Sequence, residues 1–188
     1  MGTVYVDKLD PQSGTALEIG SSGDTITIPS GATITNSGTA NGFGTDGTPN
    51  CLVYLNASQT ISDDTITKIT FDTEVYDSDS AFASNKFTVP SGEAGKYAIL
   101  LNLSLDTGAD SNMNYAYGYI YKNGSNIRQA GIDLRANPGR RNFVSVFSVE
   151  DLAVSDYIEA YAIIDDTSGS PLVTGGSSNS LFMIWRVA

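Results

Sequence analysis

Tyr115-Ala116-Tyr117-Gly118-Tyr119-Ile120-Tyr121-Lys122-Asn123-Gly124 is the stretch whose reading decides the fold. Its tyrosines recur at every second position, so an extended strand lines them along one face. The opposite face carries Ala116, Gly118 and Ile120, which are small or apolar. Asn123-Gly124 then supplies the two residues that most readily take φ > 0, as a tight hairpin turn demands. The chain is expected to return from Asn126 to Leu134. A bare aromatic stripe in water needs a cover, and three are open: the protein's own second sheet, a neighbouring subunit, or a carbohydrate.

Working outward, residues 49–188 read as strand after strand, a globular head. Leu52-Val53-Tyr54-Leu55, Lys68 to Phe71, Val75-Tyr76 and Phe87 to Val89 precede the strongest strand. There Tyr97, Ile99, Leu101, Leu103 and Leu105 point one way, with Ala98, Leu100, Asn102 and Ser104 opposite. Phe143 to Val149, Tyr157 to Ile164 and Ser180 to Trp185 follow the hairpin. No segment sustains a 3.6-residue apolar period with caps, so helix is not expected. Short strands at this density predict an all-β, two-sheet sandwich, most simply a jelly roll.

Residues 1–48 differ. They hold few large apolar residues and an imperfect repeat, Thr25-Ile26-Thr27-Ile28-Pro29-Ser30-Gly31-Ala32 and then Thr33-Ile34-Thr35-Asn36-Ser37-Gly38. Each unit reads as a short strand ended by a glycine-containing turn. Ile26, Ile28 and Ile34 cannot bury one another usefully in one chain. The expectation is a strand-rich N-terminal arm in which several chains intertwine, with a floppy tail as the other outcome. Gly42 to Gly47 matches G-x-G-x-x-G, but it precedes Pro49 and a strand rather than a helix, so the match is chance.

Composition narrows the function. The chain has 188 residues, 40% of them hydrophobic, and only 16% charged, against roughly 25% in ordinary globular chains. A net charge of −11 and a pI near 4.1 oppose nucleic-acid binding, which rests on Lys and Arg. The one basic cluster, Arg135 with Arg140 and Arg141, reads as a loop whose arginines pair with local acids. Cys51 is the only cysteine, so no intrachain disulfide forms. No signal peptide is visible and no run is long enough to span a bilayer, so a soluble protein made in a host cytoplasm is expected, without a membrane partner.

The order of motifs resembles the complement/tumour-necrosis-factor-like globular head. Val75-Tyr76-Asp77 comes first, then Phe87 with Pro90, Gly92, Gly95 and Tyr97. Lys122-Asn123-Gly124, Leu152-Ala153-Val154-Ser155-Asp156-Tyr157-Ile158 and Leu181-Phe182-Met183-Ile184-Trp185 complete it. Where the family often has Gly-Asp before a strand, this chain has Ser155-Asp156. The resemblance implies a jelly roll that forms a homotrimer through one aromatic-rich sheet face. Tyr115, Tyr117, Tyr119, Tyr121, Phe182 and Trp185 are then the candidate trimer-interface residues. The arm resembles those of small fibre and decoration proteins of tailed phages, particularly marine ones. That implies a virion surface protein whose Ile26, Ile28 and Ile34 attach it to capsid or tail proteins, with a host-glycan-binding fibre tip as the alternative.

Catalytic chemistry is thin. There is no histidine, which removes the commonest general base and the commonest transition-metal ligand; little should titrate between pH 6 and 8. Asp63-Asp64, Asp77 with Asp79, and Asp165-Asp166 are carboxylate pairs. They suit a glycan-processing enzyme only if spaced across a cleft, or a calcium ion, though no D-x-D-x-D-G loop is present. The expectation is no enzyme, no cofactor and no metal.

Overall fold

The computed structural model describes residues 9–33, 35 and 49–187. The chain divides into two units, Met1–Phe43 and Gly44–Ala188. Ile34 and the glycine-rich stretch 41–48 lie outside the described residues.

In the second unit, thirteen strands and no helix occur among the described residues. One sheet contains β1 (Asn50–Tyr54), β4 (Thr73–Asp77), β7 (Gly95–Asp106), β10 (Arg141–Leu152) and β13 (Leu181–Arg186). Its order is β10-β7-β13-β1-β4, with the short β12 (Leu172–Val173) and β2 (Gln59–Thr60) added beside the end of β7. The other sheet runs β5-β6-β11-β8-β9, from β5 (Phe82–Ala83), β6 (Lys86–Thr88), β11 (Tyr157–Asp166), β8 (Met113–Lys122) and β9 (Ser125–Asp133). The two-residue β3 (Thr67–Lys68) pairs with β11. All pairings are antiparallel, and the two sheets face one another as a jelly-roll sandwich.

The core lies between them and follows strand alternation. Tyr97, Ile99, Leu101, Leu103 and Leu105 of β7 are all fully buried, as the sequence predicts. Ala116 and Ile120 of β8, Ile158, Ala162 and Ile164 of β11, and Val144 and Val146 of β10 meet them. Asn123 and Gly124 both adopt left-handed backbone, φ 52 and 78, so the predicted hairpin turn forms where Asn-Gly stands. Ser155 also has φ 70, which explains why glycine suits that position better in the resembling family.

Among the described residues of the first unit, the strand expected at Thr25 to Ile28 does not form within the single chain, and the one expected at Thr33 to Thr35 lies partly outside them. Residues 24–29 have no ladder partner, while turns fall at Ser22-Gly23 and Ser30-Gly31. Leu17, Ile19, Ile26 and Ile28 are exposed. The reason is simple: too few apolar residues lie within reach to offset the roughly 1–2 kcal/mol per residue that ordering the backbone costs.

Candidate functional site

The sandwich has two outer faces, and each carries a distinct aromatic surface. The face predicted from sequence is that of the β5-β6-β11-β8-β9 sheet. Its four tyrosines point away from the second sheet, because Ala116, Gly118 and Ile120 occupy the core side. The protein's own sandwich therefore does not cover them. They cover one another instead: successive ring centroids from Tyr115 to Tyr121 lie 5.9, 6.3 and 6.3 Å apart, and Tyr121 meets Tyr161 at 4.3 Å. Tyr119 in the middle is buried, and the others are half-buried.

Register places the neighbours of this ladder. Gly131 of β9 sits opposite Tyr117, Gln129 opposite Tyr119, and Asp133 opposite Tyr115. A Cβ on Gly131 would fall 2.1 Å from Cδ1 of Tyr117 and 2.4 Å from its Cγ, so that ring lies against the bare glycine backbone. At one end the Tyr115 hydroxyl donates to Asp64, and the Arg135 guanidinium stacks 4.6 Å from the Tyr115 ring centre. The Asp64 hydrogen bond leads the causes that push the Tyr115 phenol up to about 12. At the other end Lys68 Nζ donates to Glu159 at 2.7 Å, and the Tyr161 hydroxyl donates to the same carboxylate at 3.4 Å.

Two of the residues grouped with the tyrosines lie elsewhere. Phe182 is 1% exposed and stacks on Phe71 in the core, ring centres 5.9 Å apart, so it is not an interface residue. Trp185 lies on the outer face of the opposite sheet, 6.5 Å from Phe147. The alternation of β13 makes both placements necessary, since residues of opposite parity cannot share a face.

The second surface is the one composition and spacing did not single out. On the outer face of the β10-β7-β13-β1-β4 sheet, Phe147 pairs with Leu100, Leu100 with Met183, Met183 with Leu52, and Leu52 with Tyr76. This is one unbroken apolar row across five strands. A second row, Val149, Ala98, Trp185 and Asn50, runs beside it. Phe143 and Phe147 are 62% and 59% exposed, and Val149 and Tyr76 nearly half. Contiguous apolar surface of this kind marks an interaction site, whereas scattered apolar residues do not. At the sheet edge, β9 and β10 each pair on one side only among the described residues. Ala130, Gly131 and Ile132 of one and Asn142 to Ser145 of the other line a groove there.

The titratable groups are largely structural. Asp77 accepts from the backbone nitrogens of Ala81 and Phe82, and Asp79 from the Ser78 hydroxyl. Asp106, nearly fully buried, binds Arg141 at 2.6 Å and Arg140 at 3.4 Å, and Asp133 binds Arg135 at 2.8 Å, so all three arginines pair locally. Asp63 accepts from the Asp166 backbone nitrogen at 2.8 Å. Burial, then the hydrogen bond and charge of Asp63, raise the Asp166 carboxyl above the ordinary range. Among the described residues no group of three or more acidic, cysteine or histidine side chains is placed to hold a metal ion. Cys51 is buried, and burial pushes its thiol far up. Among the described residues, no helix is long and apolar enough to cross a membrane.

The sequence matches no protein-family model and no curated protein. The structure is similar to the globular domain of the zebrafish complement 1qA protein, with a TM-score of 0.52 and 13% identity, covering 74% of this chain and 98% of that one. It is also similar to murine APRIL, at a TM-score of 0.53 and 10% identity over 73% of this chain and 99% of that one. A third likeness is to Eiger TNF from S. frugiperda, at 0.50 and 12% over 74% and 92%. The fold is thus that of the complement/TNF-like jelly rolls.

Proposed function

We propose that this chain is a homotrimeric, non-enzymatic structural protein displayed on the surface of a phage particle, as a head-decoration or short fibre protein. The observation that carries the trimer is the apolar row Phe147, Leu100, Met183, Leu52 and Tyr76, exposed at its two ends and half-buried between them. A surface of that length is covered when the β9/β10 edge of one copy, with Phe143 at its rim, seats on the row of the next. Such a face-to-edge contact is heterologous, repeating head to tail rather than pairing two copies, and in this reading it closes at three. The reading moves the interface from the tyrosine ladder to the opposite sheet.

Attachment to capsid or tail is assigned to the arm. Its exposed Ile26 and Ile28 need a partner surface, and its sequence resembles the arms of phage fibre and decoration proteins. The core residues all lie in the second unit, so the head is built to fold without residues 1–40. A host-glycan-binding fibre tip is the second reading, favoured by the tyrosine ladder. The test is imaging of particles carrying a label after Ala188, with full-length protein and with a chain lacking residues 1–40. Label on the particle surface, lost on truncation while the free head stays trimeric, is the expected result. Full occupancy by the truncated chain would place attachment in the head.

A further inference from the structure

We infer that the outer face of the β5-β6-β11-β8-β9 sheet is a binding platform for a neutral, extended glycan, with Tyr117 and Tyr121 as its stacking surfaces. The inference deepens the exposed-head reading, because in the proposed trimer this face remains outward.

Gly131 sets the pose of the Tyr117 ring. With no side chain there, the half-buried Tyr117 ring rests on the β9 backbone at Gly131. Restoring even one carbon at that position would lift the ring, so the flat pose depends on the glycine. Ring-to-ring contacts continue from it through the buried Tyr119 to the half-buried Tyr121 and Tyr161. All of them stand on a rigid antiparallel sheet and not on loops, which keeps the ordering cost of binding low.

Charge selects the ligand class. Lys68 is held by Glu159 at 2.7 Å, Arg135 by Asp133 at 2.8 Å, and Asp64 takes the Tyr115 hydroxyl. Asp165, opposite Tyr115, adds negative charge at that end. Along the ladder itself an anionic ligand therefore meets engaged cations and extra carboxylate, while Lys86 lies apart, 4.6 Å over the Tyr157 ring. What the face offers is aromatic rings edged by hydroxyls and amides. Asn126 and Gln129 stand beside Tyr121 and Tyr119, joined by one 3.0 Å hydrogen bond, and amides can both donate to and accept from hydroxyls. Apolar C–H faces ringed by hydroxyl groups are the chemistry of an uncharged sugar chain.

The test uses the full-length protein with cellohexaose and laminarihexaose as neutral probes and hexagalacturonate as the anionic one. Proton NMR of the sugars detects binding through upfield ring-current shifts of their C–H protons. We expect a saturable shift with a neutral hexasaccharide at about 1 mM or below, and a weaker one with hexagalacturonate. Tyr117→Ala should weaken binding about tenfold and Tyr121→Ala several-fold, with far-UV circular dichroism unchanged. If Tyr117→Ala does not fold, Tyr121→Ala and the wild-type ring-current shifts decide. The inference is overturned if neither neutral sugar shifts at about 10 mM, or if a folded Tyr117→Ala chain binds the neutral sugar as tightly as wild type. A Tyr117→Ala chain of lower oligomeric mass would also overturn it, marking the face as a contact between copies. Since binding is read on free protein, its failure leaves the virion assignment standing, and absence from particles leaves the binding measurement standing.

Discussion

Phe147→Asp is the substitution that separates the two aromatic faces. A phenylalanine side chain buries 150–250 Å² when covered, on the order of 200 Å², and Phe147 is 59% exposed in the single chain. About 120 Å² is thus free to be covered by a neighbour, equivalent to roughly 3 kcal/mol per copy at about 25 cal/mol per Å². An aspartate at that point adds an unpaired carboxylate beside Leu100 and Trp185, in a chain that already carries −11. The loss of apolar cover alone should raise the dissociation constant by about a hundredfold. The monomer should barely notice, because most of the ring already faces water.

The assay is light-scattering mass across a dilution series, read against the 19.8 kDa chain mass. Wild type should hold three chains, Phe147→Asp should fall toward one, and Tyr117→Asp, on the other face, should remain at three. A Phe147→Asp protein that stays trimeric at about 1 μM would refute the assignment of the row. Dissociation by Tyr117→Asp alone would return the interface to the tyrosines.

Acid should expose one ion pair in particular. Lys122, then Asn123 and the Ala153 amide, hold the Asp156 carboxyl at about 2. Its folded pKa lies below the unfolded value of 3.8, so its contribution is present above about pH 4 and vanishes as pH falls toward 2. Discounted for solvent, Asp156→Ala should cost about 1 kcal/mol at neutral pH, and urea melts of the two proteins should converge near pH 2. Asp166 has the opposite sign: its raised pKa means stability is lost as pH climbs through it. Asp166→Asn should therefore melt higher than wild type at neutral pH, with the difference closing in acid. Gly131→Ala should destabilise by about 1–3 kcal/mol, since the new methyl meets both the Tyr117 ring and the Ala116 carbonyl, and thermal melts check this. Cys51 should resist iodoacetamide at about pH 8 and react once urea unfolds the head, as mass spectrometry would show.

Much of the head was legible from parity and turn chemistry. The β7 alternation named its five core residues, and Asn123-Gly124 named the hairpin turn, because both signals are local and have no competitor. Phe182 marks the limit of composition: aromatic character groups it with Trp185, but three residues apart on a strand puts them on opposite faces. The row on the other sheet had its own signal in Phe143, Phe147 and Val149, which alternate with Val144 and Val146. A strand apolar on both faces must be covered twice, and only one cover lies within the sandwich. The two-residue strands β2, β3, β5 and β12 carry no period at all and exist only through their neighbours.

What parity could not supply was which side of β8 faces in. The answer lies in matching sizes across the gap. The facing sheet fills the gap with Tyr97, Leu101, Leu103 and Leu105, so the opposing strands must be lean there. They are: Ala160 and Ala162 pair with Ile120 and Gly118, and a Cβ on Gly118 would already come within 3.3 Å of Leu103 and Val144. Turning the tyrosines inward would place rings where not even a methyl fits loosely. The large side chains of one sheet thus drive the tyrosines of the other into the open, and the same packing that closes the core creates the exposed ladder.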